Sequence, residues 1–386
     1  MKEREEAPGP NHWACLAVMR FVLSCIVFMG HLSGLGIGGS FTERGVDYGE
    51  LAAVVGFFAI SGFSIANSIS IRPERYILRR LWRIWPTYLF VFFFITLPVA
   101  WLLEKNHVQY FNNIAVTKGI VIGNLFMLQG LVVTAMETNT STWTLAMEEF
   151  YYLLAPLFRK SPGIVLALIT GISATSYALA RDFGWIRFAG LTHGIAHLCF
   201  LWAWLLGFFF YRYRKSILAQ MILLLLPVWL FCGWNELGGR WAVFTLLAAT
   251  WVIASGDKID LAMQRLPRVL VEIEYASGKF WNIEVAHLRR WMVFLGNVSY
   301  PLYILHLPVA YAIRLTGCSN WFVYFLAVLA VSLVVYLFVD KPNRGRWQTK
   351  KDKADPLVAQ ILASEGLADQ QAAKTPGTPG VGTIGV

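Results

Sequence analysis

The sequence predicts an all-α protein: a polytopic transmembrane helix bundle with about ten spanning helices and both termini cytoplasmic. Hydrophobic residues make up 57% of the 386 residues and charged residues only 15%, well below the roughly one quarter of soluble domains. The hydrophobic residues gather into runs, several of which approach the ~20 residues that a helical span needs. Because lipid-facing backbone must satisfy its hydrogen bonds internally, such runs are expected to be helices.

The elements follow in order after a polar N-terminal tail at 1–12. Within a membrane domain at 13–345, apolar runs lie at about 13–36, 50–70, 84–103, 113–133, 141–158, 162–180, 191–211, 217–235, 241–255, 293–315 and 319–340. The first run contains Arg20 and His31 and lacks a small-residue cleavage site, so it is interpreted as a retained helix rather than a signal peptide. A cytoplasmic loop insertion at 256–292 has a pattern that predicts an amphipathic helix broken at Pro267. The tail at 346–386 is polar and typical of disorder.

Loop charge sets the number of crossings. Basic residues, whose excess gives a net charge of +10, cluster near 72–83, 159–160, 212–215, 258–290 and 341–353. The positive-inside rule places all five clusters in the cytoplasm only if one run between 113 and 158 does not cross. The favoured segment is 113–133, which polar residues interrupt and which we expect to be re-entrant or interfacial; 141–158 is the alternative.

Ionisable residues within spans mark functional sites by default, because a membrane interior disfavours them. On the first helix Arg20 and His31 are eleven residues apart, or about 16 Å along the axis. A basic helix is predicted at 72–83, opened by Pro73, with a basic stripe of Arg72, Arg75, Arg79 and Arg83 on one face. The predicted directions put Arg20 and this helix towards the cytoplasm. His31, Glu148 (or Glu149) and His306 reach a similar depth in the outer half.

Two classes of function use such an arrangement. The first is an enzyme in which the arginines bind an anionic cargo and a histidine above it acts as general base, oriented by a carboxylate. A proton-coupled transporter or flippase of a glycan or lipid uses the same buried His and Glu. A non-catalytic scaffold is a third alternative. The absence of an internal repeat argues against the transporter.

Ordered motifs favour the first class. They are Arg20-x10-His31, then 57–63 (FFAISGF), 79–88 (RRLWRIWPTY), 142–156 (TWTLAMEEFYYLLAP) and 296–308 (GNVSYPLYILHLP), followed by Asp340-Lys341-Pro342. In this order they resemble the acyltransferase-3 family of integral-membrane acyltransferases. The resemblance implies transfer of an acyl group, commonly acetyl from acetyl-CoA, to a hydroxyl of a cell-surface or exported glycan, and the bacterial inner membrane as the setting.

The resemblance also assigns residues. Arg20 and His31 correspond to the family's essential pair, and His31 is the expected general base. Trp143 and Glu148 correspond to its tryptophan–glutamate motif, and Glu148 is expected to partner a catalytic group. The arginine-rich motif corresponds to Arg79, Arg80 and Arg83, which we expect to bind the phosphates of acyl-CoA.

The remaining expectations concern acceptor and partners. His306, Trp143 and Tyr303 are expected in the acceptor site. Membrane lipid, acyl-CoA and a glycan or lipid-linked sugar are the expected partners, with no nucleic acid. The five cysteines have no metal-ligand spacing, so no metal is expected. The sequence leaves open the acceptor, the acyl length, and whether transfer is direct or passes through an acyl-enzyme.

Overall fold

A computed structural model describes residues 8–107, 116–182, 192–232, 240–271 and 278–344. In these ranges every regular element is helical, and the one pairing of extended backbone is an isolated bridge between Gln129 and Val133. The α-helices are α1 (Pro10–Gly34), α2 (Gly39–Tyr48), α3 (Glu50–Ile71), α4 (Tyr76–Val91), α5 (Leu97–Lys105), α6 (Lys118–Leu125), α7 (Thr142–Lys160), α8 (Gly163–Asp182), α9 (Ile195–Tyr213), α10 (Ile217–Cys232), α11 (Ala242–Ala254), α12 (Gly256–Val271), α13 (Gly278–Arg314), α14 (Trp321–Val335) and α15 (Lys341–Arg344). The π-helical turns Phe92–Thr96 and Tyr336–Asp340 join α4 to α5 and α14 to α15.

The bundle is that of a multi-pass membrane protein. Within the described ranges, 7 helices are long and apolar enough to cross a membrane, or up to 8 if the bent pair α11 and α12 forms one span. Helices also occupy the other predicted spans, but α7 carries Glu148, Glu149, Arg159 and Lys160, and α10 has only 16 residues. The predicted helical bundle is therefore confirmed, with seven candidate spans, or eight when the bent pair counts as one.

Several predicted boundaries differ from the structure. The first helix begins at Pro10, where a proline costs nothing because the first backbone N–H groups of a helix lack partners. The basic helix begins at Tyr76 rather than Pro73, because Arg75 adopts a left-handed backbone conformation with φ of 51°. Helix α12 runs through Pro267 instead of breaking there. The tail predicted at 346–386 lies outside the described residues.

The segment between α5 and α7 matches the predicted non-crossing region. Its helix α6 has 8 residues and is about 12 Å long, too short for a bilayer core of about 30 Å. The part of this segment at 135–139 is buried and held by side chains. Pro308 in α13 has no N–H, which leaves the carbonyl of Ile304 without its helical donor. The Nδ2 group of Asn139 donates to this carbonyl at 2.9 Å and so anchors the segment to α13.

Contacts between helices fix their relative directions. Helix α1 runs parallel to α13, since Ser24 Oγ donates to the Ser299 carbonyl at 3.3 Å and His31 contacts His306 seven residues further along both helices. It runs antiparallel to α3, whose first residue, Glu50, lies beside His31. Arg20 is thus nearer the end of the bundle that carries the basic residues, here called the basic end, and His31 is nearer the opposite end.

Helices α3 and α9 approach closely through two glycines. A Cβ at Gly62 would collide with the carbonyl of Trp204, and one at Gly207 with the carbonyl of Ala59. Backbone atoms on both sides cannot move away as a flexible side chain can. Because α3 forms one wall of the cavity described below, this contact also positions the site.

We expect Gly62→Ala to destabilise the protein by about 1–3 kcal/mol, because the added methyl overpacks the contact between α3 and α9. The matched control is Gly171→Ala in α8, where a Cβ meets nothing within 4 Å. The measurement is the midpoint of thermal unfolding of each purified variant in detergent. Equal midpoints for the two variants would contradict the proposed packing.

Candidate active site

A cavity of about 130 Å³ lies between α1, α3, α4, α7 and α13, inside the bundle. Its walls combine apolar side chains with hydroxyl groups and charged groups. The charged residues that line it are Arg20, Arg80, Arg83, Glu148 and Arg344. A cavity with this lining can hold an anionic ligand, because guanidinium groups bind phosphates and carboxylates through paired hydrogen bonds.

Helix α4 contributes two of the arginines. Arg80 and Arg83 are three residues apart, so they share one face of the helix. Arg80 is buried, and its Nη2 donates to Ser68 Oγ of α3 at 2.5 Å. Arg79 has a different place: its guanidinium donates to the carbonyls of Arg72 and Glu74 in the turn before α4, and it is not among the cavity residues.

Arg20 of α1 and Glu148 of α7 both line the cavity. The Glu148 carboxylate accepts a hydrogen bond from Tyr152 Oη at 3.2 Å, and Tyr152 in turn contacts Ser61 Oγ at 3.1 Å. Both Arg20 and Arg83 attract this carboxylate electrostatically. The buried Nε of Arg20 has no hydrogen-bond acceptor among the described residues. Two arginines of the cavity lining therefore lie within electrostatic range of the Glu148 carboxylate.

Arg344, from the helix that follows the last predicted span, completes the charged lining. It pairs with the buried carboxylate of Asp340 and with the side chain of Asn297. Its Nη2 also donates to the Asn297 carbonyl at 3.1 Å, which Pro301 leaves without a helical donor. Thr87 Oγ1 donates to Asp340 at 3.2 Å, so this group joins α4, α13 and α15 at the basic end.

Tyr303 lies between the cavity and the opposite end of the bundle. Its hydroxyl is 2.7 Å from Thr144 Oγ1, and both residues line the cavity. On its other side the Tyr303 ring meets the ring of His306, with centroids 5.8 Å apart. Tyr303 thus contacts both the arginine-lined cavity and the histidines beyond it.

His31 and His306 form a hydrogen-bonded pair in that region. His31 Nδ1 lies 2.9 Å from His306 Nε2, and the two rings stack with centroids 5.0 Å apart. His306 is fully buried, and its Nδ1 lies 2.7 Å from the Tyr303 carbonyl. His31 is partly exposed, and its Nε2 lies 3.8 Å from Oε2 of Glu50.

The structure thus separates the predicted site residues into two groups. Arg20, Arg80, Arg83, Glu148 and Tyr303 line the cavity, whereas His31 and His306 form the pair at its far side. The sequence predicts Glu148 at the depth of the histidines. In the structure Thr144, one turn earlier in α7, contacts Tyr303 next to His306, so Glu148 lies about one turn nearer the basic end.

Two predicted residues lie elsewhere. Trp143 packs its ring edge-on against Phe200 of α9 at 5.4 Å, and Arg79 faces the turn before α4. Sequence reasoning missed two charged residues. Glu50 is the first residue of an apolar run, and Arg344 belongs to a basic cluster that the charge rule explains by topology alone.

Comparison with known proteins gives one match. A family model, acyltransferase-3, described as an acyltransferase domain, matches residues 13–340. The match covers every residue of the site except Arg344. No curated protein and no solved structure shows significant similarity to the chain.

Proposed function

The chain belongs to the acyltransferase-3 family, and from this premise we propose a specific reaction for it as a membrane acyltransferase. It transfers an acyl group, acetyl in the first instance, from acyl-CoA on the cytoplasmic side to a hydroxyl of a cell-surface or exported glycan or related acceptor. The proposed setting is the bacterial inner membrane. The protein uses acyl-CoA as donor substrate and no metal.

One observation carries the donor half of this proposal: four arginines and one carboxylate, Glu148, line a cavity inside the bundle, and Arg20 and Arg83 both attract that carboxylate. Guanidinium groups bind phosphates through paired hydrogen bonds, so a cavity lined by four arginines favours an anion. The phosphates of CoA supply such an anion. Arg80 and Arg83 are proposed to bind them, with Arg20 as the innermost cation and Glu148 holding Arg20 in place.

The proposed acceptor site lies on the far side of the cavity, near Tyr303 and His31. Arg20 and His31 are about 16 Å apart along α1, a distance that an extended pantetheine arm can bridge. The thioester then meets the acceptor hydroxyl near Tyr303 and His31. His31 is proposed as the general base that removes the hydroxyl proton as the oxygen attacks the thioester carbonyl. Trp143 is proposed to support the wall of the acceptor site through α7.

A doubly labelled donor tests this function. Purified protein in lipid vesicles is given acetyl-CoA that carries one isotope in the acetyl group and another in the adenine, together with a panel of glycan acceptors. We expect the acetyl label in an O-ester of the acceptor and the adenine label in free CoA. Movement of a glycan or lipid across the vesicle membrane with no ester formed would support the transporter alternative and overturn the proposal.

A further inference from the structure

We infer that His306 and Glu50 are positioning residues that make Nε2 of His31 the atom that accepts the proton of the acceptor hydroxyl. This inference rests on the proposed function for its chemistry, but its geometry stands on the contacts of three side chains. Those contacts determine which nitrogen of each imidazole carries a hydrogen, and they leave one nitrogen facing outward.

The contact with the Tyr303 carbonyl determines the tautomer of His306. A backbone carbonyl only accepts, so His306 Nδ1, at 2.7 Å from the Tyr303 carbonyl, must carry a hydrogen and donate it. His306 is fully buried against the rings of Phe28 and Tyr303, where a charged imidazole is disfavoured. Its Nε2 is therefore the lone-pair nitrogen.

The hydrogen bond to His306 then determines the tautomer of His31. Because His306 Nε2 accepts, His31 Nδ1 at 2.9 Å must donate to it. A neutral imidazole carries one hydrogen, so the remaining lone pair of His31 lies on Nε2. In hydrolytic triads, too, a second group holds the histidine base in the required tautomer.

Nε2 of His31 is also the accessible nitrogen. It lies 3.8 Å from Oε2 of Glu50, a distance too long for a hydrogen bond. The side chains of His31 and Glu50 are 27% and 35% exposed, so a hydroxyl can reach this nitrogen from the end of the bundle opposite the basic end. Once His31 is protonated, the nearby carboxylate offsets the new charge.

Gly30 makes this position of Glu50 possible. A Cβ at Gly30 would collide with the Glu50 carboxylate, which folds over the backbone of α1 next to His31. Gly30→Ala therefore displaces the carboxylate without removing its charge. It complements Glu50→Gln, which removes the charge and leaves the side chain in place.

His31 Nε2 accepts one proton during the transfer and gives it up again. The acceptor O–H bond breaks, its proton moves to His31 Nε2, and the oxygen forms a bond to the thioester carbonyl carbon. The C–S bond then breaks, and the thiolate of CoA takes the proton back from Nε2. An O-ester and free CoA are the products, and His31 returns to its starting form.

The kinetic test compares Glu50→Gln, Gly30→Ala, His306→Phe and His306→Gln with the wild type in detergent or vesicles. Since these residues act through His31, we expect kcat to fall about 10- to 100-fold, less than the full 10²–10⁴-fold contribution of a general base, and KM for acetyl-CoA to stay unchanged. His306→Gln should recover part of the activity lost in His306→Phe, because its amide oxygen can accept from His31.

Glu43→Gln, on the exposed side of α2, is the matched control for Glu50→Gln. Wild-type kcat in Glu50→Gln or in His306→Phe would overturn the inference.

A spectroscopic test does not depend on turnover. Imidazole ¹⁵N spectra of protein labelled at histidine identify which nitrogen of neutral His31 is protonated, and His31→Gln assigns its signals by their loss. We expect a protonated Nδ1 and an unprotonated Nε2, with a mixture of tautomers in His306→Phe. A wild-type His31 protonated at Nε2 would refute the inference even if acyl transfer is found. A protein that transfers no acyl group but shows the expected tautomer would refute only the proposed function.

Discussion

His31→Gln is expected to lower kcat for acyl transfer by about 10²- to 10⁴-fold, the contribution typical of a general base. The glutamine can still hydrogen-bond His306, but it cannot take a proton from the acceptor. KM for the acyl-CoA donor should change little, because His31 lies beyond the arginine-lined cavity rather than in its wall. The measurement is steady-state transfer of labelled acetyl to the acceptor found in the wild-type screen.

The matched control is His197→Gln. His197 also lies on a spanning helix but is buried, and neither of its ring nitrogens has a hydrogen-bond partner among the described residues. Its loss should leave kcat close to that of the wild type. If both variants lost activity equally, the effect would be one of stability and not of His31 as the base.

Arg83→Gln is expected to raise KM for acyl-CoA about 10- to 100-fold. A hydrogen bond to a charged group contributes about 1.5–3 kcal/mol, and each 1.4 kcal/mol is a factor of ten in binding. The change leaves Arg20 as a cation near Glu148, so the carboxylate keeps an electrostatic partner. The measurement is the dependence of initial rate on acetyl-CoA concentration, with kcat as an internal check.

Arg79→Gln is the matched control for this prediction. It removes the same charge from the same helix, but from a guanidinium that bonds the turn before α4 and does not line the cavity. We expect its KM to stay within about twofold of the wild type. Equal increases in KM for the two variants would indicate a general loss of positive charge near the membrane surface instead of contacts in the cavity.

The sequence predicts the long apolar helices well because each is a run that can be recognised by itself, whereas the polar helix α2 is not predicted. It also places Arg20 and His31 correctly, towards the basic end and the opposite end of α1, since loop charge gives that helix a direction. It does not show which arginines of α4 face inward. The predicted stripe assumed a helix from Pro73, but the left-handed Arg75 ends that pattern and Arg80 and Arg83 face the cavity.

Contacts between distant segments could not be predicted at all. Arg344 reaches Asn297, 47 residues earlier, because Pro301 exposes a carbonyl that only the folded bundle brings within range. Glu50 reaches His31 because Gly30 has no side chain at that point. Neither periodicity nor loop charge carries this information, so the carboxylate beside His31 was expected to be Glu148.

The most direct test of the central claim is to locate the bound donor. A photoreactive acyl-CoA is cross-linked to the wild-type protein in vesicles, and the modified residues are identified by mass spectrometry. We predict cross-links to the cavity wall, in particular to α4 around Arg80 and Arg83 and to α7 around Glu148, that excess acetyl-CoA abolishes. Specific cross-links confined to residues outside the cavity wall, or no cross-link that acetyl-CoA competes for, would contradict the assignment of this cavity as the donor site.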